Sequence, residues 1–304
     1  MIKLKYLIFL ILTSALASCQ NSSKTNETPI DDEVIEKENV SIIQVDTTKY
    51  LYAWQTDHDY KNALINTIQP PLGFEREVQN ENSFAAWLEH LPLKEDNTVY
   101  LYNGEKKYNQ SAQYKVINID VGNKDLQQCA DAVMRLRAEY LFSSNQTKEI
   151  HFNYTNGVNI PYTKWSSGLY PSLKGNKVVW VNSSNNTSYT SFKKYINNIF
   201  MYAGTASLEK ELLSVKMGDI QIGDVFIKGG FPGHAILVID VVENKTTNEK
   251  CFMVAQSYMP AQNIHILNNP NSSSDSPWYY LSDCNSKIET PEWTFYPNQL
   301  KRFK

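Results

Sequence analysis

The sequence predicts an α+β fold, in which helices pack on an antiparallel sheet. The longest helical pattern is Asp125–Leu141, whose interior consists mainly of the good helix formers Ala, Leu, Met, Arg and Glu. The apolar run Ala235–Ile239 is typical of a strand that is covered on both faces. A polar turn, Glu243–Glu249, leads into a returning strand at Lys250–Tyr258, so we expect these two strands to pair as a hairpin.

The N-terminus has the pattern of an exported lipoprotein. Met1–Lys5 is basic, and the apolar run Tyr6–Leu16 is too short to span a bilayer as a permanent helix. The next residues, Leu16-Ala-Ser-Cys19, resemble a bacterial lipobox, which implies that Cys19 is acylated. Residues 20–39 are mostly polar, as in a solvated tether. We expect a signal peptide over residues 1–18, a lipid-anchored tether over 19–45 and a single domain over 46–304.

Composition and charge narrow the function classes. The 304 residues carry a formal net charge of −3 and no basic cluster, so nucleic-acid binding is not expected. Membrane attachment would come from acyl chains on Cys19, because no other apolar stretch is long enough to span. Gln20–Ser23 contains no acidic run, which by resemblance to other lipoproteins favours a periplasm-facing protein. Without H-E-x-x-H or paired C-x-x-C patterns, neither a metal nor a cofactor is expected.

The elements before and after the long helix follow from local signals. Two prolines in Gln69–Phe74 exclude a helix there. Asn82 or Ser83 can cap a short helix through Phe84–Leu91, which Pro92 ends. The sequence predicts further strands at Thr98–Tyr102, Val116–Asp120, Ile264–Ile266 and Trp293–Phe295, and further helices at Phe192–Tyr202 and Ser207–Val215.

Cys129 has two interpretations. With Asp125 as the cap of the long helix, Cys129 occupies the fourth helical position, on the apolar stripe that faces the core. A thiol near a helix N-terminus can have a lowered pKa and act as a nucleophile. A free cysteine on an apolar stripe can equally be a packed core residue. The two interpretations stay open on the sequence alone.

His234 begins the apolar strand, directly after a turn rich in Gly and Pro. If the hairpin closes symmetrically about residue 246, His234 faces Tyr258 and Ile236 faces Gln256. Gln256 is then the diagonal neighbour of His234 on the same face, within reach of the imidazole. A shift of one residue in the register would separate them.

The other cysteines bear on the role of Cys129. Exported proteins meet an oxidising compartment, in which thiols tend to pair. If Cys251 and Cys284 pair with each other, Cys129 is left as a single thiol. A disulfide from Cys129 to either of them would make it structural and would exclude an enzymatic role.

The order of these features resembles that of papain-like cysteine peptidases and amidases of bacterial cell walls, of the NlpC and CHAP types. In those families a helix that begins with the nucleophilic Cys packs on an antiparallel sheet, and a Gly-Asp turn precedes the strand with the base His. The resemblance implies a papain-like core with insertions, since the stretch from Cys129 to Gly223 is long. It implies catalytic roles for Cys129 as nucleophile, His234 as base and Gln256 as the residue that orients the imidazole, with Gly223 and Asp224 in the turn.

From residue 50 onward the chain also resembles a family of Bacteroidetes lipoproteins called domain of unknown function 4846. The matching stretches are Pro70–Phe74, Asp125–Leu141, Tyr202–Thr205, Gly223–Val242, Ala255–Gln262 and Thr290–Trp293.

The expected function is that of a cell-envelope cysteine peptidase or amidase, a hydrolase acting on peptidoglycan peptides or another envelope amide. The backbone N–H of Cys129, with Gln127 or Gln128, would then stabilise the oxyanion. The alternative is a non-catalytic envelope binding module of unknown ligand. The segment Gln127–Asp131 favours that alternative, because the resembling families have small residues around the cysteine.

Overall fold

The computed structural model describes residues 50, 52–55 and 59–304. The expected signal peptide, the expected acylation site Cys19 and the whole tether expected over residues 19–45 therefore lie outside the described residues. Within the described part of the chain, no helix is both long and apolar enough to cross a membrane. The same residues contain no group of three or more His, Cys, Asp or Glu side chains that could hold a metal ion.

The chain forms six α-helices and fifteen strands within the described residues. The helices are α1 Leu64–Thr67, α2 Phe84–Glu89, α3 Cys129–Ser143, α4 Tyr162–Ser166, α5 Tyr189–Tyr202 and α6 Thr205–Glu211. The strands are β1 Glu75–Arg76, β2 Gln113–Val116, β3 His151–Asn153, β4 Asn159–Pro161, β5 Leu169–Lys174, β6 Lys177–Asn182, β7 Leu213–Ser214, β8 Val225–Lys228, β9 His234–Glu243, β10 Lys250–Gln256, β11 His265–Leu267, β12 Tyr279–Tyr280, β13 Ile288–Glu289, β14 Thr294–Phe295 and β15 Leu300–Arg302.

An antiparallel sheet of nine strands is the centre of the fold, which confirms the α+β prediction. Its main order is β2-β11-β10-β9-β8-β15-β7, while β1 pairs with β9 and β12 with β10. The central strand β9 alternates between two apolar clusters. Ala235, Leu237 and Ile239 pack on the side of α3 and α5, and Ile236 and Val238 pack on the opposite side.

Two predicted strands differ from the structure. The strand predicted at Val116–Asp120 lies earlier, at Gln113–Val116, because Ile117 forms a single bridge with Leu93 instead of continuing the ladder. The strand predicted at Thr98–Tyr102 is reduced to isolated bridges, of which one joins Leu101 to Gln262.

The long helix begins later than the sequence predicts. Its N-cap is Gln128, so Cys129 is its first residue and not its fourth. Asp125 does not cap the helix because its carboxylate accepts the backbone N–H of Ala261 at 2.7 Å. The Asp131 carboxylate accepts a hydrogen bond from the backbone N–H of Gln128 at 3.0 Å. Asp131, and not Asp125, therefore stabilises the first turn of the helix.

In the stretch between Cys129 and Gly223 the papain-like resemblance implies an insertion, and we call this stretch the insertion. Two separate two-stranded sheets, β3–β4 and β5–β6, lie in it, together with α4, α5 and α6. Tyr195 and Phe192 of α5 are fully buried and belong to the same apolar cluster as the buried residues of α3. The insertion is therefore packed on the α3 side of the fold.

Candidate functional site

Cys129 and His234 line the same cleft, whose volume is about 460 Å³. α3 supplies Cys129 from its first residue, and β9 supplies His234 from its first residue. The insertion forms one wall through residues 200–205, and the turn before β9 forms another. Other side chains that line the cleft are Leu126, Phe200, Thr205, Tyr258, Met259 and Trp293.

The Cys129 thiol is half-buried, and its environment favours the protonated form. Burial and the nearby Asp131 carboxylate raise the pKa of Cys129 to about 11. The backbone N–H groups of Ala130 and Ala235 oppose this rise in pKa, because they stabilise the thiolate. Burial outweighs the effect of the helix N-terminus, so the expected lowering of this pKa is absent.

The imidazole of His234 is almost completely buried, with 2% exposure. Its Nε2 atom lies 2.7 Å from Oε1 of Gln256. Burial lowers the pKa of His234 to about 4, which the Gln256 hydrogen bond opposes and the charge of Lys107 promotes. Three aromatic rings surround the imidazole, at centroid distances of 4.9 Å for Tyr258, 5.3 Å for Trp293 and 5.7 Å for Phe295.

The hydrogen bonds of Gln256 assign the tautomer of His234. The amide Nε2 of Gln256 donates to Oε2 of Glu292 at 2.8 Å, so its Oε1 atom faces His234. An amide oxygen only accepts, and His234 must therefore carry its proton on Nε2. The unprotonated nitrogen of the neutral ring is Nδ1, which is the atom left to act as a base.

A bulge in the central hairpin brings His234 and Gln256 onto one face. Near the turn, Cys251 pairs with Val242, whereas the predicted hairpin, symmetric about residue 246, would pair it with Val241. A shift between Met253 and Val254 restores the predicted register, with Ala255 opposite Leu237. Without this shift, the Gln256 side chain would lie on the opposite face of the sheet from His234.

The turn before His234 requires glycine. A Cβ atom at Gly233 would lie 2.5 Å from Oγ1 of Thr205 and 2.8 Å from the carbonyl oxygen of Lys228. Gly230 has a φ of +108°, in the region that side chains rarely adopt. The tight turn holds β8 against β9 and fixes where β9 begins.

The Gly223-Asp224 turn supports the sheet and does not line the cleft. Asp224 is fully buried and forms a bidentate ion pair with Arg302, at 2.6 Å from Nε and 2.8 Å from Nη2. It also accepts the backbone N–H of Gln221 at 2.9 Å. Gly223 has a φ of +94°, and a Cβ there would lie 3.0 Å from Phe84. These contacts tie the start of β8 to β15.

Of the two glutamines expected near the oxyanion, only Gln128 lines the cleft. Its Nε2 donates to Asp125 at 3.2 Å. Gln127 is buried away from the cleft, where its Oε1 accepts Nη1 of Arg135 at 3.0 Å. The sequence did not distinguish them because they are neighbours at the end of a loop.

Sequence reasoning missed the polar groups behind Gln256. Lys107 and Glu292 form an ion pair of 2.6 Å beside His265, and both Glu292 and His265 contact the Gln256 amide. Lys107 and Glu292 are 185 positions apart in the chain. No local pattern could therefore have indicated this contact.

Cys129, Cys251 and Cys284 are all free in the structure. Cys251 and Cys284 are buried, and burial is the main cause that raises the pKa of each. The structure therefore contains neither the Cys251–Cys284 pair nor a disulfide from Cys129, so Cys129 is available as a thiol.

Comparison with known proteins identifies the family. No curated protein and no solved structure matches the chain. The family described as "Domain of unknown function (4846)" matches residues 64–302, which include Cys129, His234 and Gln256. The chain belongs to this family of domain of unknown function 4846.

Proposed function

We propose that this protein is a cysteine peptidase or amidase with a papain-like core. The observation that carries the proposal is the shared cleft, which is lined both by Cys129 and by His234, whose imidazole Gln256 orients. The helix-borne thiol, the histidine at the start of a central strand and the polar residue at the end of the next strand occur in the order that the resemblance implies. A nucleophile, a base and an orienting group are the parts that covalent amide hydrolysis requires.

The reaction follows from the assigned tautomer. The sulfur of Cys129 attacks the amide carbonyl carbon while Nδ1 of His234 accepts the thiol proton. When the tetrahedral intermediate collapses, the C–N bond breaks and the imidazolium returns this proton to the leaving amine. Water, deprotonated by the same nitrogen, then hydrolyses the thioester to a carboxylic acid and regenerates the Cys129 thiol.

The oxyanion would form beside the N-terminus of α3. The backbone N–H of Cys129 is among the first N–H groups of the helix, which have no partner within it. The side-chain amide of Gln128 lies in the same cleft and provides a second possible donor. Such donors stabilise the negative charge that develops on the carbonyl oxygen.

The resting state is a neutral pair. With a pKa of about 11 for Cys129 and about 4 for His234, both groups are uncharged near pH 7. His234 therefore acts as a general base during the attack, because a stored thiolate–imidazolium pair would contradict both pKa values.

The pattern of the N-terminus supports a cell-envelope location for this activity. A signal peptide over residues 1–18 and acylation of Cys19 would attach the domain to a membrane, facing the periplasm. Amide substrates in that compartment include the peptides of peptidoglycan. The proposed substrate is a peptidoglycan peptide or another envelope amide.

Incubation of the full-length protein with purified muropeptides tests this function. Mass spectrometry should show cleavage products with one new amine and one new carboxylic acid. Cys129→Ser and His234→Ala should abolish the products, whereas Cys284→Ser, at a buried thiol outside the cleft, should not. Products that persist in Cys129→Ser would overturn the proposed nucleophile.

The second candidate is a non-catalytic envelope binding module. The raised pKa of Cys129 favours it, since a protonated thiol is a poor nucleophile without an active base. For a binding module, sedimentation with peptidoglycan should be equal for the native protein and Cys129→Ser, and neither should release cleavage products.

A further inference from the structure

A group of buried polar side chains lies behind Gln256, on the side away from His234. It consists of Lys107, His265 and Glu292, which we call the polar network. His265 is fully buried and Lys107 is 6% exposed, while the Glu292 side chain is 14% exposed. Buried polar groups are stable only when their hydrogen bonds are made, so the network has defined donors and acceptors.

Glu292 is the acceptor at the centre of the network. Its Oε2 atom accepts Nζ of Lys107 at 2.6 Å and Nε2 of Gln256 at 2.8 Å. Both donors converge on one carboxylate oxygen. The ion pair with Lys107 compensates the charge of Glu292 in this buried position.

His265 adds a second acceptor on the same side. Its Nδ1 donates to the carbonyl oxygen of Asn263 at 2.9 Å, which leaves Nε2 as the accepting nitrogen. That Nε2 atom lies 3.4 Å from Nε2 of Gln256 and 3.4 Å from Nζ of Lys107. The Gln256 amide nitrogen therefore faces two acceptors.

These contacts permit only one orientation of the Gln256 amide. If the amide rotated by half a turn, its Oε1 atom would face the carboxylate of Glu292, and two acceptors would repel each other. Its NH₂ group would then face His234, which would have to accept on Nε2 and carry its proton on Nδ1. The rotated state would remove the basic nitrogen that the proposed reaction uses.

We propose that Glu292, held by Lys107, is a positioning residue that fixes the tautomer of His234 through Gln256. Glu292 touches neither the thiol nor the imidazole and acts only through the amide. This role rests on the proposed function as far as catalysis is concerned, but the tautomer itself can be measured without any substrate.

The first test is Glu292→Gln in the full-length chain. A glutamine of similar size can donate as well as accept, so either orientation of the Gln256 amide becomes satisfied. Glu289→Gln is the matched control, because Glu289 lies three positions away and pairs with Lys287 at the surface, at 2.7 Å. Long-range ¹H–¹⁵N spectra of protein labelled with ¹⁵N-histidine report the tautomer, and His234→Gln assigns the signals.

We expect native protein and Glu289→Gln to show His234 protonated on Nε2 only. Glu292→Gln should show both tautomers, and alkylation of Cys129 should slow in proportion to the fraction of the Nε2–H tautomer that is lost, about twofold for an even mixture. A single Nε2–H tautomer in Glu292→Gln would overturn the positioning role. A Nδ1–H tautomer in the native protein would also overturn it.

A second variant separates positioning from stability. In Lys107→Met combined with Glu292→Leu, apolar side chains replace the buried ion pair, a change that often preserves stability. Lys287→Met combined with Glu289→Leu is its control at the surface pair. Mixed tautomers in the first double variant at an unchanged unfolding temperature support positioning, and an unmixed Nε2–H tautomer contradicts it. If tautomers mix while native Cys129 reacts no faster than an ordinary buried thiol, the positioning role stands and the proposed function fails.

Discussion

Nε2 of His234 lies 2.7 Å from Oε1 of Gln256 because the β9–β10 pairing contains a one-residue shift between Met253 and Val254. Both side chains then lie on the face opposite α3, together with Ile236 and Val238. The N-terminus of α3 reaches the start of β9 from the other side, and the N–H of Ala235 interacts with the Cys129 sulfur. Cys129 and His234 therefore line one cleft at the start of β9.

The pH dependence of Cys129 alkylation should distinguish a coupled pair from an isolated thiol. A neutral thiol–imidazole pair and its thiolate–imidazolium form contain the same number of protons, so their ratio does not change with pH. We expect a constant iodoacetamide rate from about pH 5 to 9, between the pKa of His234 at about 4 and that of Cys129 at about 11. Mass spectrometry of the labelled peptide gives the rate.

His234→Ala should convert this plateau into a slope. Without the base, the rate follows the thiolate fraction and should rise about tenfold per pH unit over the same range. His151→Ala is the control, because His151 is exposed and lies outside the cleft. A native protein that already shows the tenfold slope would contradict a paired Cys129 and His234.

Gly233→Ala should destabilise the protein and displace His234. The new methyl group would overlap Thr205 and the backbone of Lys228, and overpacking of this kind costs about 1–3 kcal/mol. Calorimetry should show a lower unfolding temperature, and alkylation of Cys129 should lose its plateau. Gly218→Ala, where no atom lies within 4 Å of the added carbon, should leave both unchanged.

Glu89 should make the protein less stable as the pH rises. Burial and the Asp240 charge raise the pKa of Glu89 to about 8, with Arg76 opposing, and its Oε1 has no hydrogen-bond partner among the described residues. The folded state then binds a proton that the unfolded state has lost, so stability falls between about pH 4.5 and 8 and is level above that. The free energy of unfolding decreases by at most about 1.4 kcal/mol per pH unit over this range.

Thermal unfolding of Glu89→Gln against the native protein measures this contribution. The stability of the variant relative to the native protein should increase from pH 6 to pH 8, because glutamine does not titrate. Glu95→Gln, at an exposed position, should show no such change. A constant difference between Glu89→Gln and native protein across this range would exclude a buried, protonated Glu89.

Two of the buried histidines, His234 and His265, should destabilise the protein in acid. Burial lowers the pKa of His234 to about 4 and that of His265 to about 3. As the pH falls below about 6.5, the unfolded chain binds protons that the folded chain cannot, and stability decreases until the folded pKa values are reached. His265→Gln should reduce this acid-side slope of the unfolding temperature, whereas a slope equal to that of the native protein would contradict the buried neutral state.

Chemical labelling of the denatured, unreduced protein should find Cys129, Cys251 and Cys284 as free thiols. Peptide mapping after labelling gives each site separately, and a reduced sample is the control. A linked peptide containing Cys251 and Cys284 would show that the protein forms a disulfide that the structure lacks.

Local signals predicted the hairpin, because strand periodicity and turn chemistry act over a few residues. The start of α3 was wrong because Asp125 bonds to Ala261, a contact across 136 positions that no capping pattern contains. The two interpretations of Cys129 could not be separated from the sequence, since its burial, which raises its pKa, depends on how the insertion packs. The polar network could not be predicted because Lys107, His265 and Glu292 meet only in the folded chain.

The position of β15 sets the order in which the site can assemble during synthesis. β15 lies between β7 and β8, which leave the ribosome well before it, and Arg302 then closes on Asp224. Until residues 300–302 have been synthesised, β8 has no partner strand on the side away from β9. The turn that positions His234 then follows an unpaired edge strand. The edge of the sheet that supports this turn is therefore complete only once residues 300–302 are in place.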